Sequence, residues 1–183
     1  CSMISKVIDA DGRITAPGFY DDVEEVPQAE REMIAHIPFN EEKYKAAIGV
    51  KELFGEKGYS TLERNSCRPS FDVCGIWGGY TGEVLPSKAF AKVSCRLVPH
   101  QDHHKISELF ADYIRSIAPE TVQVKVTPMH GGQGYVCPIS LPAYQAAEKG
   151  FEVAFGKKPL AVRRGEAFLS SLLLNRYWES KPY

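Results

Sequence analysis

Apolar residues recur along this chain with two different periods, and the alternation between them lays out its elements. Met3, Ile4, Val7 and Ile8 fall at helical spacing with no capping residue ahead of them. Residues 1–8 therefore read as the last turns of a helix that begins upstream, closed by a turn at Asp11-Gly12. The next stretch, 14–40, is rich in proline, glycine and acid, and Pro27, Glu30 and Glu32 predict a short helix ending near Pro38. Asn40 followed by Glu41 and Glu42 is a helix start: the amide can accept a first-turn N–H, and the carboxylates complement the positive helix end. A further short helix is expected around 50–54.

From residue 70 the period changes to two. Phe71, Val73 and Trp77 fall on one side of a run over 70–77, with Asp72, Cys74 and Ile76 on the other. A second run, 88–98, alternates more cleanly. Ala89, Ala91, Val93, Cys95 and Leu97 share one face, and Phe90, Lys92, Ser94, Arg96 and Val98 share the other. Side chains alternate across a strand, so both runs predict strands, the second with one apolar and one mixed face. Gly78-Gly79-Tyr80-Thr81-Gly82 supplies a hairpin connection between them. Helical spacing then returns in Ile106, Leu109, Phe110, Tyr113, Ile114 and Ile117, until Pro119 stops it. Val122, Val124 and Val126 alternate again, predicting a strand over 121–127.

An N-terminal helix followed by strand, strand, helix and strand is an α+β pattern, with helices on one face of an antiparallel sheet. With one more strand upstream it would be the ferredoxin-like β-α-β-β-α-β unit, so the expectation is a ferredoxin-like sheet lacking its first strand. After His130-Gly131-Gly132 comes a well-marked helix over 140–155. Ser140 is placed to cap it, Pro142 lies in the first turn and Gly156 ends it.

Composition narrows the function classes. The 183 residues are 44% hydrophobic and 25% charged, with a formal net charge of −1, as in an ordinary globular domain. Neither nucleic acid nor an anionic membrane surface is indicated, since no excess of positive charge exists to attract one. No run approaches the roughly 20 apolar residues of a membrane span, and Cys1-Ser2-Met3-Ile4 does not read as a secretory signal. The five cysteines (Cys1, Cys67, Cys74, Cys95 and Cys137) form no C-x-x-C pair. They read as free thiols of a reducing, cytoplasmic compartment, used for packing.

Candidate chemistry is sparse. His100, His103 and His104 lie in a loop and first helical turn, without the carboxylate–histidine spacing of a metal site, and Asp102 is placed to cap that helix. Arg96 lies on the mixed strand face; it reads either as a strand arginine reaching water or as a clamp on a carboxylate. His130, beside a glycine pair at a strand end, suits either close approach of a ligand or a plain turn. The glycines at 78–82 are not a phosphate loop. No carboxylate pair, Ser-His-Asp set or metal cluster can be assembled.

Several runs in order do resemble a known family. They are Gly12-Arg13-Ile14 leading to Pro17-Gly18-Phe19-Tyr20-Asp21, then Arg68-Pro69-Ser70-Phe71-Asp72-Val73, Gly75-Ile76-Trp77-Gly78-Gly79-Tyr80, Leu85-Pro86-Ser87-Lys88, Arg96-Leu97-Val98-Pro99 and His130-Gly131-Gly132. Together, over residues 1–165, they resemble the cytosolic nonspecific dipeptidase and carnosinase group of two-zinc metallopeptidases, related to aminoacylases. The resemblance implies a lid and dimerisation domain over 1–132 and, over 133–165, a segment returning to an α/β zinc domain. That zinc domain carries the two zinc ions and the general base, so this chain is expected to hold no metal and to catalyse nothing alone. It also implies a homodimer formed through the lid, and a dipeptide or N-acyl amino acid substrate for the parent enzyme. Arg96 matches the family's substrate-carboxylate arginine, and His130 its H-G-G position. A lid histidine and the first lid strand are expected upstream of Cys1.

Two departures stand out. The family carries a few more residues between Gly82 and Leu85, including a substrate-contacting threonine, where Glu83-Val84 runs straight on here. After Arg163-Arg164-Gly165 the family continues Gly-Ser-Ile-Pro, whereas this chain reads Glu166-Ala167-Phe168-Leu169. Dropping one nucleotide from a coding stretch for the family sequence reproduces the order seen, so 166–183 are expected to be a frameshifted tail. The competing class is a stand-alone ferredoxin-like ligand-binding or regulatory module without a parent enzyme.

Overall fold

The computed structural model describes residues 1–163. They form an α+β structure: a single 3-10 turn at Ile4–Lys6, then α1 (Gln28–Ala35), α2 (Glu41–Ile48) and α3 (Thr61–Cys67). The antiparallel hairpin β1 (Ser70–Gly78) and β2 (Ala89–Arg96) follows, and then α4 (His103–Ser116) and α5 (Pro142–Phe155).

The core sits where the N-terminal segment, α4 and the base of the hairpin meet. Val7, Ile14, Ala16, Phe19, Ile106 and Phe110 are buried together, with Phe71, Cys95, Leu97, Leu109 and Tyr113 packed against them. Phe71 of β1 meets Phe110 of α4 with ring centroids 5.6 Å apart. The N-terminal turn is fixed by Asp9, whose Oδ1 accepts the N–H groups of Asp11 and Arg13, each at 2.9 Å. Gly12 has φ +77°, and a Cβ there would lie 2.5 Å from the carbonyl oxygen of Gly55. Only glycine lets the two segments approach this closely.

Local signals account for most helix ends. Asn40 caps α2 by accepting from Lys43 N, and Gly49 ends it in the left-handed conformation. Asp102 caps α4, accepting from the N–H groups of His104 and Lys105. Ser60 and Glu63 form a reciprocal capping box at α3, a helix that the apolar pattern alone does not reveal. Elsewhere the expectations give way. Residues 50–54 form no helix, and α5 begins after Leu141 with no side-chain cap from Ser140. Over 121–127 the backbone forms no strand ladder among the described residues, although the alternation is intact.

A β-bulge changes the hairpin's faces. Val73 pairs with Val93 but Gly75 pairs with Lys92, so Cys74 is the extra residue. Cross-strand partners share a face, and one inserted residue reverses the parity beyond it. Ile76 thereby joins Val73, Ala91 and Val93, while Trp77 crosses to the face of Lys92 and Arg96. Trp77 stacks there on its partner Phe90, with centroids 5.5 Å apart and planes 9° apart. Strict alternation, which groups Trp77 with Phe71 and Val73, fails at that one residue. No helix among the described residues is long and apolar enough to cross a membrane. The tail expected over 166–183 lies outside the described residues.

Candidate functional site

Arg96 is the last residue of β2, exposed, and opposite Ser70 of β1. Around it on the same face lie Ser94, Lys92 and, from β1, Asp72, which accepts a hydrogen bond from Ser70 Oγ at 2.9 Å. The face is therefore mixed, as the strand parity predicts: two cations, one carboxylate and two hydroxyls. Cys95 points the other way, into the core. Burial pushes its thiol up to about 12, with the negative charge of Asp72 adding to the effect. Such a thiol stays protonated and serves as packing. Burial also raises the Cys67 thiol. Cys1, Cys74 and Cys137 are exposed, so interior packing describes two of the five cysteines rather than all of them.

The chain after Arg96 is held in place by Gln101, a fully buried residue that the sequence pattern passes over. Its Oε1 accepts from Val98 N at 3.0 Å, and its Nε2 donates to the carbonyl of Phe19 at 2.7 Å. The turn between them places His100 at φ +73°, a left-handed conformation unusual for a side-chain-bearing residue. His100 Nε2 lies 3.3 Å from Glu24 Oε1.

The same corner receives the segment carrying His130. A Cβ added to Gly131 would stand 2.8 Å from His103 Nδ1, and one added to Gly134 would stand 3.1 Å from Val98 O and Pro99 N. The backbone of 131–134 is therefore laid against the start of α4 and the turn that leaves β2. The structure thus brings the segment of His130 to the turn just beyond Arg96, and its glycines are what permit the approach. The rings of His103 and His104 lie against each other with centroids 3.9 Å apart and planes tilted by 38°, in the first turn of a helix capped by Asp102. Among the described residues, no group of three or more His, Cys, Asp or Glu is gathered so as to hold a metal ion.

A second polar centre lies behind the hairpin. Arg68 grips Glu56 with two prongs, Nε–Oε2 at 2.7 Å and Nη2–Oε1 at 2.8 Å, both side chains being buried. Arg13 adds a contact to Glu56 Oε1 at 3.0 Å. The Arg68 guanidinium also lies over the ring of Tyr59 at 4.4 Å. Arg68 stands two residues ahead of β1 and ties it to the loop before α3. Its sequence signal is only its place in Arg68-Pro69-Ser70-Phe71; Glu56 has none.

Comparison with known proteins gives these features a setting. A family model described as "Peptidase dimerisation domain" matches residues 7–122. The chain is 27% identical over 170 residues to the Cys-Gly metallodipeptidase DUG1 of Candida albicans, covering 89% of this chain and 35% of that protein. It is 23% identical over 171 residues to the Beta-Ala-His dipeptidase of Rattus norvegicus, covering 90% of this chain and again 35% of the relative. Among solved structures it resembles an M20 family metallo-carboxypeptidase from Sulfolobus solfataricus. The TM-score there is 0.74 at 29% identity, over 89% of this chain and 38% of the other. The chain thus spans about a third of the length of the proteins it matches.

Proposed function

Since the chain belongs to the peptidase dimerisation domain family, we propose that it serves as the lid and dimerisation region of a zinc-dependent dipeptidase or N-acyl amino acid hydrolase. In this reading residues 1–132 are the lid, 133–165 return the chain to a catalytic domain, and 166–183 are a frameshifted tail. The parent enzyme works in the cytoplasm as a homodimer joined through the lid. Its two zinc ions and its general base lie in the catalytic domain, outside this chain.

The observation that carries the reading is the placement of Arg96. It is a guanidinium on an exposed polar strand face, next to the corner where 131–134 close on His103. A planar guanidinium donates two parallel hydrogen bonds to a carboxylate, the group every dipeptide and acyl amino acid carries at one end. His130, in the adjoining segment, is assigned the neighbouring substrate contact. Hydrolysis needs an activated water, and the described residues bring no metal site to supply it.

The experiment compares two proteins. The purified chain, given zinc and a panel of dipeptides, should release no amino acid. A longer product of the same gene, carrying the flanking catalytic domain, should hydrolyse them. Zinc-dependent turnover by the chain alone, or a gene without such a domain, would overturn the proposal.

A further inference from the structure

One donor of the buried Arg68 is left over. The side chain is 2% exposed, and two of its three nitrogens are engaged by Glu56. The third, Nη1, is buried and hydrogen-bonds to nothing among the described residues. A buried guanidinium N–H without an acceptor is costly, so this atom calls for a partner. The acid facing it is Glu25, whose Oε1 stands 3.9 Å away, beyond hydrogen-bond reach. Its other oxygen, Oε2, accepts from Tyr59 Oη at 2.8 Å. Two donors therefore converge on one carboxylate, and that carboxylate satisfies only one of them.

The surroundings favour an anion. Arg13 and Arg68 both reach the Glu56 carboxylate, and Arg64 Nε donates to the Glu56 carbonyl at 2.8 Å. Three guanidiniums thus gather around one buried carboxylate. The donors are also held in place, since the Arg68 guanidinium lies over the rings of Tyr59 and Tyr20, at 4.4 Å and 5.3 Å. Burial first, and then the bond to Glu25, hold the Tyr59 phenol above its ordinary value, so it remains a proton donor at neutral pH. Glu25 is by contrast loosely placed. Its side chain is 78% exposed, and residues 24–26 make no backbone–backbone hydrogen bond among the described residues. A segment so held opens at little cost.

We propose that Arg68 Nη1 and Tyr59 Oη form a receptor for a small monocarboxylate, which Glu25 occupies as a displaceable internal ligand. The two oxygens of a carboxylate suit a pair of neighbouring donors, and its single negative charge answers the surplus of guanidinium around Glu56. Glu25 is tethered by its own backbone and reaches one donor. A free carboxylate such as acetate has no tether and meets both. No residue of this site takes part in the substrate contact assigned to Arg96, so the proposal stands apart from that reading.

The test titrates the whole chain, carrying nitrogen-15 arginine, with sodium acetate while sodium chloride keeps the ionic strength constant. The magnetic resonance signal of Arg68 Nε–H should shift saturably with acetate and not with chloride. Glu25→Ala removes an exposed side chain together with the internal competitor, and should bind acetate at least about tenfold tighter than the unsubstituted chain. Glu25→Gln keeps the length of the side chain but not its charge, and should show a smaller gain in the same direction. Adding Tyr59→Phe to Glu25→Ala keeps the ring against Arg68 and removes the hydroxyl, so about tenfold in affinity should be lost again. Circular dichroism checks that each variant is folded. Absence of a saturable shift in Glu25→Ala overturns the proposal. So does equal affinity with and without the Glu25 carboxylate, the same shift from chloride, or a response confined to Arg96.

Discussion

Arg96 and Arg68 show how one side chain takes opposite roles from its surroundings. Arg96 ends an exposed strand face beside Lys92 and Ser94, outside the buried core. In the parent enzyme proposed above, where Arg96 is assigned the substrate carboxylate, Arg96→Ala should remove a charge-assisted contact of about 1.5–3 kcal/mol, or roughly 10- to 150-fold in kcat/KM. The thermal midpoint should hardly move. Arg96→Lys should recover only part of the loss, because an ammonium cannot make the two-pronged contact. Steady-state kinetics beside a melting curve separate the outcomes: unfolding by Arg96→Ala with normal turnover of the surviving fraction would make the arginine structural. Arg68 is the reverse case. It is buried and bonded twice to buried Glu56, so Arg68→Met leaves that carboxylate with the Arg13 contact alone and should cost about 3 kcal/mol. Replacing both, Arg68→Met with Glu56→Leu, should cost clearly less than the single change. Urea titrations of the single and double variants measure the difference; equal losses would show that the pair's charge is not what matters.

Among the elements, α3 is the one whose existence rests on its first turn. Its seven residues lack a continuous apolar stripe, and its capping box satisfies donors that would otherwise be orphaned. Ser60→Ala should therefore cost about 1 kcal/mol. The same box makes α3 sensitive to acid. Burial tends to raise the Glu63 carboxyl, but the hydrogen bonds from Ser60 and the Arg31 guanidinium outweigh it and leave the group below its ordinary value. A depressed carboxylate contributes stability above its unfolded value, and that contribution is lost as pH falls through the folded one. Stability should thus decline below about pH 4.5, and Glu63→Gln should flatten that part of the curve, as chemical denaturation at stepped pH would show. Ser60 and Glu63 were readable as a capping box, but attention to apolar period alone overlooks them. The paired strands were legible from their period, and α4 from its period together with its Asp102 cap; α5 was marked by Pro142 and Gly156, although the Ser140 cap is not made. Trp77's face was not, since an inserted Cys74 leaves no mark on the alternation it breaks. Gln101 and Glu56 were hidden for another reason: their partners, Phe19 and Arg68, are distant in sequence, and burial of a polar group is decided by the fold. Residues 121–127 keep their alternation but form no ladder among the described residues.

At the scale of the molecule, the hairpin reaches beyond the core that holds its base. Phe71, Cys95 and Leu97 pack against α4, whereas Val73, Ile76 and Val93 on the same face are 43%, 53% and 37% exposed. Phe151, Val153 and Phe155 of α5 are exposed as well. Scattered surface apolar residues need no explanation, but a continuous sheet face beside unpaired strand edges draws other chains. The outer edge of β1 has no strand beside it among the described residues, and Val73 and Ile76 flank it. Two copies meeting there would extend both sheets across their unpaired edges, which agrees with the dimerising role of the family. Light scattering across a dilution series should therefore find a dimer or larger species that falls apart on dilution. Val73→Lys with Ile76→Lys places like charges on that exposed face without touching the core, and should shift the mass toward monomer while the melting curve of diluted protein is unchanged. A monomer at every concentration would show that the exposed face is tolerated rather than used. Association that survives the double substitution would move the interface to α5.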